Sequence, residues 1–91
     1  MSKIVKEEVY QRAIKMYGIY GQCDVCIEEC SELIQAISKF KRGKSHNVEE
    51  ELADLEIMLE QMRMMFNSKK IDNIKRNKIN RLSRRLDSGK I

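Results

Sequence analysis

The chain of 91 residues is long enough for one modest hydrophobic core, so we interpret residues 1–91 as a single domain. Charged residues make up 35% of the chain and aromatic residues 5%, and proline and tryptophan are absent, which favours amphipathic helices over strands. No apolar run approaches the roughly 20 residues of a membrane span, and the first residues lack the apolar centre of a signal peptide. We therefore expect a cytoplasmic protein that does not enter the membrane.

The formal net charge of +4 conceals two oppositely charged parts of the chain. Residues 1–66 contain 9 Lys/Arg and 12 Asp/Glu, a balance of −3, whereas residues 67–91 contain 9 and 2, a balance of +7. An acidic body suits a cation and a basic tail suits phosphates, although a run of charge can equally be a solvated helix face.

Two amphipathic helices are predicted in the first half of the chain. The first runs from about Ile4 to Tyr17 and stops at Gly18 and Gly21. The second runs from about Gln22 to Arg42 and ends at Gly43, a residue suited to a left-handed helix cap.

Two further helices follow. Asn47 suits an N-cap, and Glu50 three residues later completes a capping-box pattern at the start of the third helix, which continues to about Phe66 with heptad spacing. The fourth helix spans about Ile71 to Leu86, within a basic C-terminal segment of about 70–87. Because the connections are short, we predict an all-α fold, a four-helix bundle of antiparallel neighbours.

Carboxylates interrupt the apolar faces of the second and third helices at equivalent positions. On a helical wheel, Glu29 and Glu51 fall inside the apolar arcs, and Glu32 and Asp54, each three residues on, lie at the edges. A carboxylate in an apolar environment needs compensation, and basic residues are scarce on these arcs. A divalent cation bound by both helices would provide it, and Mg²⁺ suits an all-oxygen site. The alternative is that acidic residues occur here by chance in a highly charged chain.

These residues form an ExxE motif, Glu29-Cys30-Ser31-Glu32, and an ExxD motif, Glu51-Leu52-Ala53-Asp54. With them the chain resembles the MazG-like family of all-α nucleotide pyrophosphohydrolases, most closely between about Ile27 and Met62. The resemblance implies that the four carboxylates bind Mg²⁺, with Mn²⁺ as a substitute. It also implies hydrolysis of an NTP or dNTP to the monophosphate and pyrophosphate. A third implication is a homo-oligomer, a dimer or a tetramer, whose partner subunit helps to close the nucleotide pocket and completes the bundle.

Water attack at the α-phosphorus requires charge neutralisation on the phosphates and a positioned nucleophile. The general base would be Glu28, which points toward the polar side of the second helix, or one of the four ligands, and we take Glu28 and Glu29 as the catalytic candidates. On the fourth helix, Lys78 and Arg81 line an edge of the apolar stripe and are the phosphate-binding candidates. Weaker candidates are Lys39, Lys41, Arg42 and Lys44 for phosphate, and Tyr17, Tyr20, Phe40 and Asn80 for the base or sugar.

Other patterns are assigned to packing or to competing functions. Cys23, Cys26 and Cys30 line one helix face, which we interpret as packing rather than as a metal site, and His46 in a polar loop is a poor ligand candidate. One alternative function is a nucleic-acid-binding regulator that uses the basic tail. Another is a non-enzymatic partner protein with a dimer seam on the third helix. Neither requires buried carboxylates, so we expect a nucleotide substrate rather than nucleic acid.

Overall fold

The computed structural model describes residues 3–89, and all the regular elements in that range are helices. They are α1 (Lys6–Tyr17), α2 (Ile19–Lys41), α3 (Val48–Met65) and α4 (Ser68–Asp87). The predicted all-α fold of four helices is therefore confirmed, with ends that differ from the predicted ones by a few residues.

The largest difference lies at the junction of α1 and α2. Gly18 alone separates the two helices, at φ 83° and ψ 161°, and its N–H donates to the carbonyl of Ile14 at 2.8 Å. The prediction that the break extends to Gly21 was wrong, because Gly21 lies within the first turn of α2. One residue with positive φ, a conformation that glycine adopts without steric cost, is enough to end α1 and redirect the chain.

The turn after α2 matches its prediction. Gly43 adopts a left-handed conformation with φ 69°, and its N–H donates to the carbonyl of Phe40 at 3.0 Å. The N–H of Lys44 donates to the carbonyl of Lys39 at 3.0 Å, which completes a Schellman motif. The loop then leads into α3, which runs antiparallel beside α2.

The contact between α2 and α3 is the most extensive between any two helices of the described chain. Near the end of this contact farthest from the connecting loop, Gln22 Nε2 donates to Gln61 Oε1 at 2.6 Å, and both side chains are buried. Ala36 and Met58 supply the buried apolar contribution of these two helices. Because Gln22 faces Gln61, the same antiparallel register sets the ExxE motif of α2 opposite the ExxD motif of α3.

Helix α1 attaches to α3 through Glu60. The buried Tyr10 donates its hydroxyl to Glu60 Oε1 at 2.7 Å, and Lys6 Nζ donates to Glu60 Oε2 at 2.6 Å. Burial of the phenol and its bond to the carboxylate both raise the pKa of Tyr10. The carboxylate of Glu60 thus anchors α1 by two hydrogen bonds, one from the ammonium group of Lys6 and one from the phenol of Tyr10.

Helix α4 contacts α3 alone among the described helices. Asn67 caps its first turn by accepting from the N–H of Lys70 at 2.9 Å, and Arg63 of α3 donates to Ser68 Oγ at 3.2 Å and to Asp72 Oδ1 at 2.7 Å. None of residues 68–87, all of which the structure describes, is buried. The helix therefore leaves the body of the molecule from the end of α3.

The predicted apolar arcs of α2 and α3 are only partly covered. Each helix leaves apolar side chains of its arc in solvent. These exposed side chains include Ile27, Ile34 and Phe40 on α2, and Leu52 and Leu59 on α3. The arcs are wider than one neighbouring helix can cover. No helix within residues 3–89 combines the length and the apolar character required to span a membrane.

Candidate metal centre

The antiparallel register of α2 and α3 brings the four predicted carboxylates together. One carboxylate oxygen from each of Glu29, Glu32, Glu51 and Asp54 lies within 4.8 Å of the others. Within each helix the two acidic residues are three positions apart, so they project from the same face one turn apart. We refer to these four residues as the acidic cluster.

Burial leaves the acidic cluster without compensation. Glu51 is only 9% exposed, and Oε2 of Glu51 and Oε2 of Glu29 are buried with no hydrogen-bond partner in the described part of the chain. The two ion pairs found between residues 3 and 89 are Lys6–Glu60 and Arg63–Asp72, so no basic side chain there pairs with the cluster. Unpaired buried carboxylate oxygens are costly, and a bound cation is one arrangement that would compensate them.

The electrostatics of the cluster point the same way. Burial is the main cause that raises the pKa of Glu29, and the negative charges of Asp54 and Glu51 add to it. Burial likewise raises the pKa of Glu51, followed by the adjacent carboxyl of Glu32. A cation would reverse both effects, since an opposite charge favours the ionised form of a carboxyl group.

The neutral side chain of Asn47 donates hydrogen bonds to acidic residues at the start of α3. Asn47 Nδ2 donates to Glu51 Oε1 at 2.9 Å and lies 3.3 Å from Glu50 Oε2. Asn47 occupies the predicted N-cap position, but the predicted capping-box bonds are absent from α3, since its side chain caps no helical N–H. A helical wheel does not reveal this contact, because Asn47 lies before the first helical residue of α3.

The donor set fits a hard divalent cation. All four groups offer carboxylate oxygen, which suits Mg²⁺ or Mn²⁺ rather than a soft metal. Around octahedral Mg²⁺, oxygens at about 2.1 Å stand at most about 4.2 Å from one another. The 4.8 Å spread of the cluster is close to that limit, so small side-chain movements would close it around an ion.

The predicted catalytic and phosphate-binding residues lie outside the cluster, apart from Glu29. Glu28 is exposed on the adjoining face of α2, as the wheel predicted. Lys78 and Arg81 line a surface groove on α4 together with Ile74, and within the described chain α4 makes no contact with α2, the helix that carries Glu29 and Glu32. The weaker candidates, Lys39, Lys41, Arg42, Lys44, Tyr17, Tyr20, Phe40 and Asn80, are all exposed.

The surroundings of the three cysteines and of His46 indicate structural roles. Cys23, Cys26 and Cys30 are half-buried free thiols, and burial raises the pKa of Cys26, so that its reactive thiolate form is disfavoured. His46 Nδ1 accepts from the N–H of Val48 at 3.2 Å, and its ring meets Phe40 edge-on at 5.2 Å. The histidine thus joins the end of α2 to the start of α3.

The function of the acidic cluster has to be inferred from its own geometry. Comparison of the chain with protein-family models, with curated proteins and with solved structures found no match. Four carboxylates on two packed helices can hold a hard cation, and an ion held in this way can bind phosphate oxygens.

Proposed function

We propose that this chain is a MazG-like nucleoside triphosphate pyrophosphohydrolase that requires Mg²⁺, or Mn²⁺ in its place. The observation that supports the proposal most strongly is the pair of buried, unpartnered oxygens of Glu29 and Glu51, two members of the acidic cluster on α2 and α3. The substrate is an NTP or dNTP, and the products are the nucleoside monophosphate and pyrophosphate.

In this mechanism the acidic cluster holds the cation and an adjacent carboxylate accepts the proton of the attacking water. A bound Mg²⁺ would neutralise charge on the phosphates. The water oxygen forms a bond to the α-phosphorus, and the bond to the bridging oxygen of the β-phosphate breaks as pyrophosphate leaves. Glu28 is exposed and lies outside the acidic cluster, so its carboxylate can take the proton. Glu29 is the other candidate base, because its carboxylate lies within the acidic cluster.

A homo-oligomer forms part of the proposal because the single chain leaves too much surface exposed. Its accessible area is 7726 Å², whereas a compact monomer of 10.7 kDa exposes about 5500 Å². Its radius of gyration is 16.8 Å, against about 12 Å for a compact domain of this length. The surplus of about 2200 Å² per chain matches the area that obligate homodimers bury.

The charges of the helices favour a second copy as the partner. α2 and α3 together carry ten acidic and three basic residues, a balance of −7, whereas α4 carries eight basic and two acidic, a balance of +6. In the proposed oligomer, α4 of one copy lies near the acidic helices α2 and α3 of another. Lys78 and Arg81 then contact the substrate phosphates across the interface, completing a site that the single chain leaves open.

The reaction is tested by product analysis of the purified protein with a panel of NTPs and dNTPs, with and without Mg²⁺. We expect monophosphate and pyrophosphate from at least one substrate, and a loss of at least about 100-fold in kcat/KM in Glu51→Gln. The matched control is Glu49→Gln, which makes the same change at an exposed position of the same helix turn. Intact nucleotides across the panel, in a folded protein that binds Mg²⁺, would contradict the proposal.

The two catalytic candidates can be separated by their effects on metal and on rate. If Glu28 is the base, Glu28→Gln lowers kcat while the Mg²⁺ dependence of the reaction stays unchanged. Glu29→Gln raises the Mg²⁺ concentration required whether or not Glu29 is also the base. An unchanged kcat in Glu28→Gln would assign the role of base to the acidic cluster.

The shared site is tested by mixing two inactive variants, Glu51→Gln and the double variant Lys78→Ala/Arg81→Ala. In a dimer with freely exchanging subunits, half of the molecules are mixed and each contains one intact site, so about a quarter of wild-type activity should return. Failure to recover activity after demonstrated subunit exchange would show that the basic residues do not act across the interface.

The exposed basic helix α4 supports a second candidate, a nucleic-acid-binding protein. Its balance of +6 is carried on a helix that contacts only α3 among the described helices. Such a protein would bind duplex DNA or RNA with an affinity that falls steeply as salt increases. Salt-dependent binding that is lost on neutralising Lys75, Arg76 and Arg84, in a protein without nucleotide hydrolysis, would favour this candidate.

A further inference from the structure

The two asparagines that precede helices in this chain are used differently. Asn67 lies before α4, and its Oδ1 accepts from the N–H of Lys70, the ordinary bond of an N-cap. Asn47 occupies the same position before α3, but its side chain caps no N–H there. Its amide instead donates to Glu51, four residues on.

A second contact at this helix start involves His46. His46 Nδ1 accepts from the N–H of Val48, the first residue of α3, and so satisfies one of the free donors at this helix end. The imidazole is held against Phe40 of α2, which fixes the loop between the two helices. His46 thus binds one N–H group at the start of α3, where the Asn47 side chain caps none.

The bond from Asn47 distinguishes the two oxygens of Glu51. Oε1 is held at 2.9 Å by the amide, whereas Oε2 is buried and has no partner among the described residues. Glu51 also contributes one carboxylate oxygen to the acidic cluster. The two oxygens of a freely rotating carboxylate would exchange places. A carboxylate held by one oxygen presents the other in a fixed direction, as hydrogen-bond partners of metal ligands commonly do.

We propose that Asn47 is a positioning residue for the cation: it holds Glu51 by Oε1 so that Oε2 is presented to the ion bound by the acidic cluster. This inference rests on the proposed function in that it assigns an ion to the cluster, but it does not depend on the substrate. Asn47 itself does not touch the ion. Its loss frees Glu51 to rotate away, which weakens Mg²⁺ binding without removing any ligand.

The test replaces Asn47 by residues that are accepted at N-caps and cannot reach Glu51. Serine is a good N-cap residue and glycine an acceptable one, so Asn47→Ser and Asn47→Gly should both fold. We expect each to weaken Mg²⁺ binding by about 10- to 100-fold in calorimetric titration, with unchanged helical content in circular dichroism. Asn67→Ser is the matched control, and its Mg²⁺ affinity should equal that of the wild type.

Enzyme kinetics give a second readout that a purely structural role would not change. In Asn47→Ser, the Mg²⁺ concentration for half-maximal rate should rise by the same factor as the dissociation constant, while kcat at saturating Mg²⁺ stays near the wild-type value. Wild-type Mg²⁺ affinity in both Asn47 variants would overturn the inference. Absence of Mg²⁺ binding by the wild type would overturn it together with the proposed function. Mg²⁺ binding that depends on Asn47, in a protein without hydrolysis, would contradict the proposed function alone.

Discussion

The α2–α3 pair and helix α4 differ in the sign of their charge and in how much of it is buried. The α2–α3 pair, with a balance of −7, buries part of its charge, so that carboxylates of both helices converge and Glu51 is 9% exposed. Helix α4, with a balance of +6, buries none of its residues and contacts only α3 among the described helices. The acidic half of the proposed site is thus assembled within one chain, whereas the basic half requires a partner.

The difference follows from what each helix can pack against. The carboxylates of α2 and α3 lie on the faces that these helices turn to each other, so packing forces them together. The apolar stripe of α4 has no facing helix in the described chain, and Ile74, Ile79, Leu82 and Leu86 remain exposed. Burial of like charges creates a site for a counter-ion, and an exposed amphipathic helix creates a site for a protein surface.

The largest expected effect comes from removing a buried charge of the acidic cluster. Glu51→Gln should abolish the thermal stabilisation by Mg²⁺, because a ligand is lost. In EDTA it should melt at a higher temperature than the wild type, because an uncompensated carboxylate has been removed. Differential scanning calorimetry with and without Mg²⁺ checks both signs, with Glu49→Gln as the control. A lower melting temperature in EDTA would show that the carboxylate of Glu51 is already compensated without metal.

The next effect concerns the apolar stripe of α4. Leu82→Asp should weaken self-association by at least about 100-fold, because a charge would enter the interface in place of an apolar group. Ser83→Asp adds the same charge at the neighbouring position, off the stripe, and should leave the oligomer intact. Sedimentation or light scattering over a range of protein concentrations measures the difference. Equal behaviour of the two variants would place the interface elsewhere.

A smaller effect distinguishes the attachment of α1 from that of α4. Tyr10→Phe removes the buried bond to Glu60 and should lower the free energy of unfolding by about 1 kcal/mol. Tyr17→Phe makes the same change at an exposed ring of the same helix and should be close to neutral. Urea denaturation measures both. A neutral Tyr10→Phe would show that α1 is attached by its apolar contacts alone.

The smallest expected effect is a pH dependence carried by Glu60. The bonds from Lys6 and from Tyr10 hold the pKa of Glu60 below its ordinary value of 4.5. Because the pKa in the folded state is lowered, the stabilisation is complete above 4.5 and is lost as the pH falls through the lower, folded-state value. The destabilisation by Glu60→Gln should therefore be measurable near neutral pH and shrink in acid. A constant difference across this range would mean that these bonds do not depend on the charge of Glu60.

The spacing of the carboxylates was enough to predict which of them would meet. Glu29 and Glu32, and likewise Glu51 and Asp54, are three residues apart inside or beside an apolar arc, and helical geometry then fixes the face on which they lie. The helix ends at Gly43 and Asn47 were predictable for the same local reason, since a left-handed glycine and a polar residue before a helix act within one turn.

Contacts between helices were beyond the reach of the sequence. The pairing of Gln22 with Gln61 and the bond of Tyr10 to Glu60 depend on the register of packed helices. The break between α1 and α2 was also predicted to extend too far, since Gly21 is helical. A glycine tolerates many conformations, and only its neighbours decide among them.

The sequence by itself determined four helices, their approximate ends and two acidic faces, because helical periodicity and caps are local properties of a chain. Only the tertiary structure decided that these faces meet with Oε2 of Glu29 and of Glu51 unpartnered, and that α4 stays clear of α1 and α2. Those facts depend on which surfaces exclude water from one another, and no stretch of sequence specifies that alone.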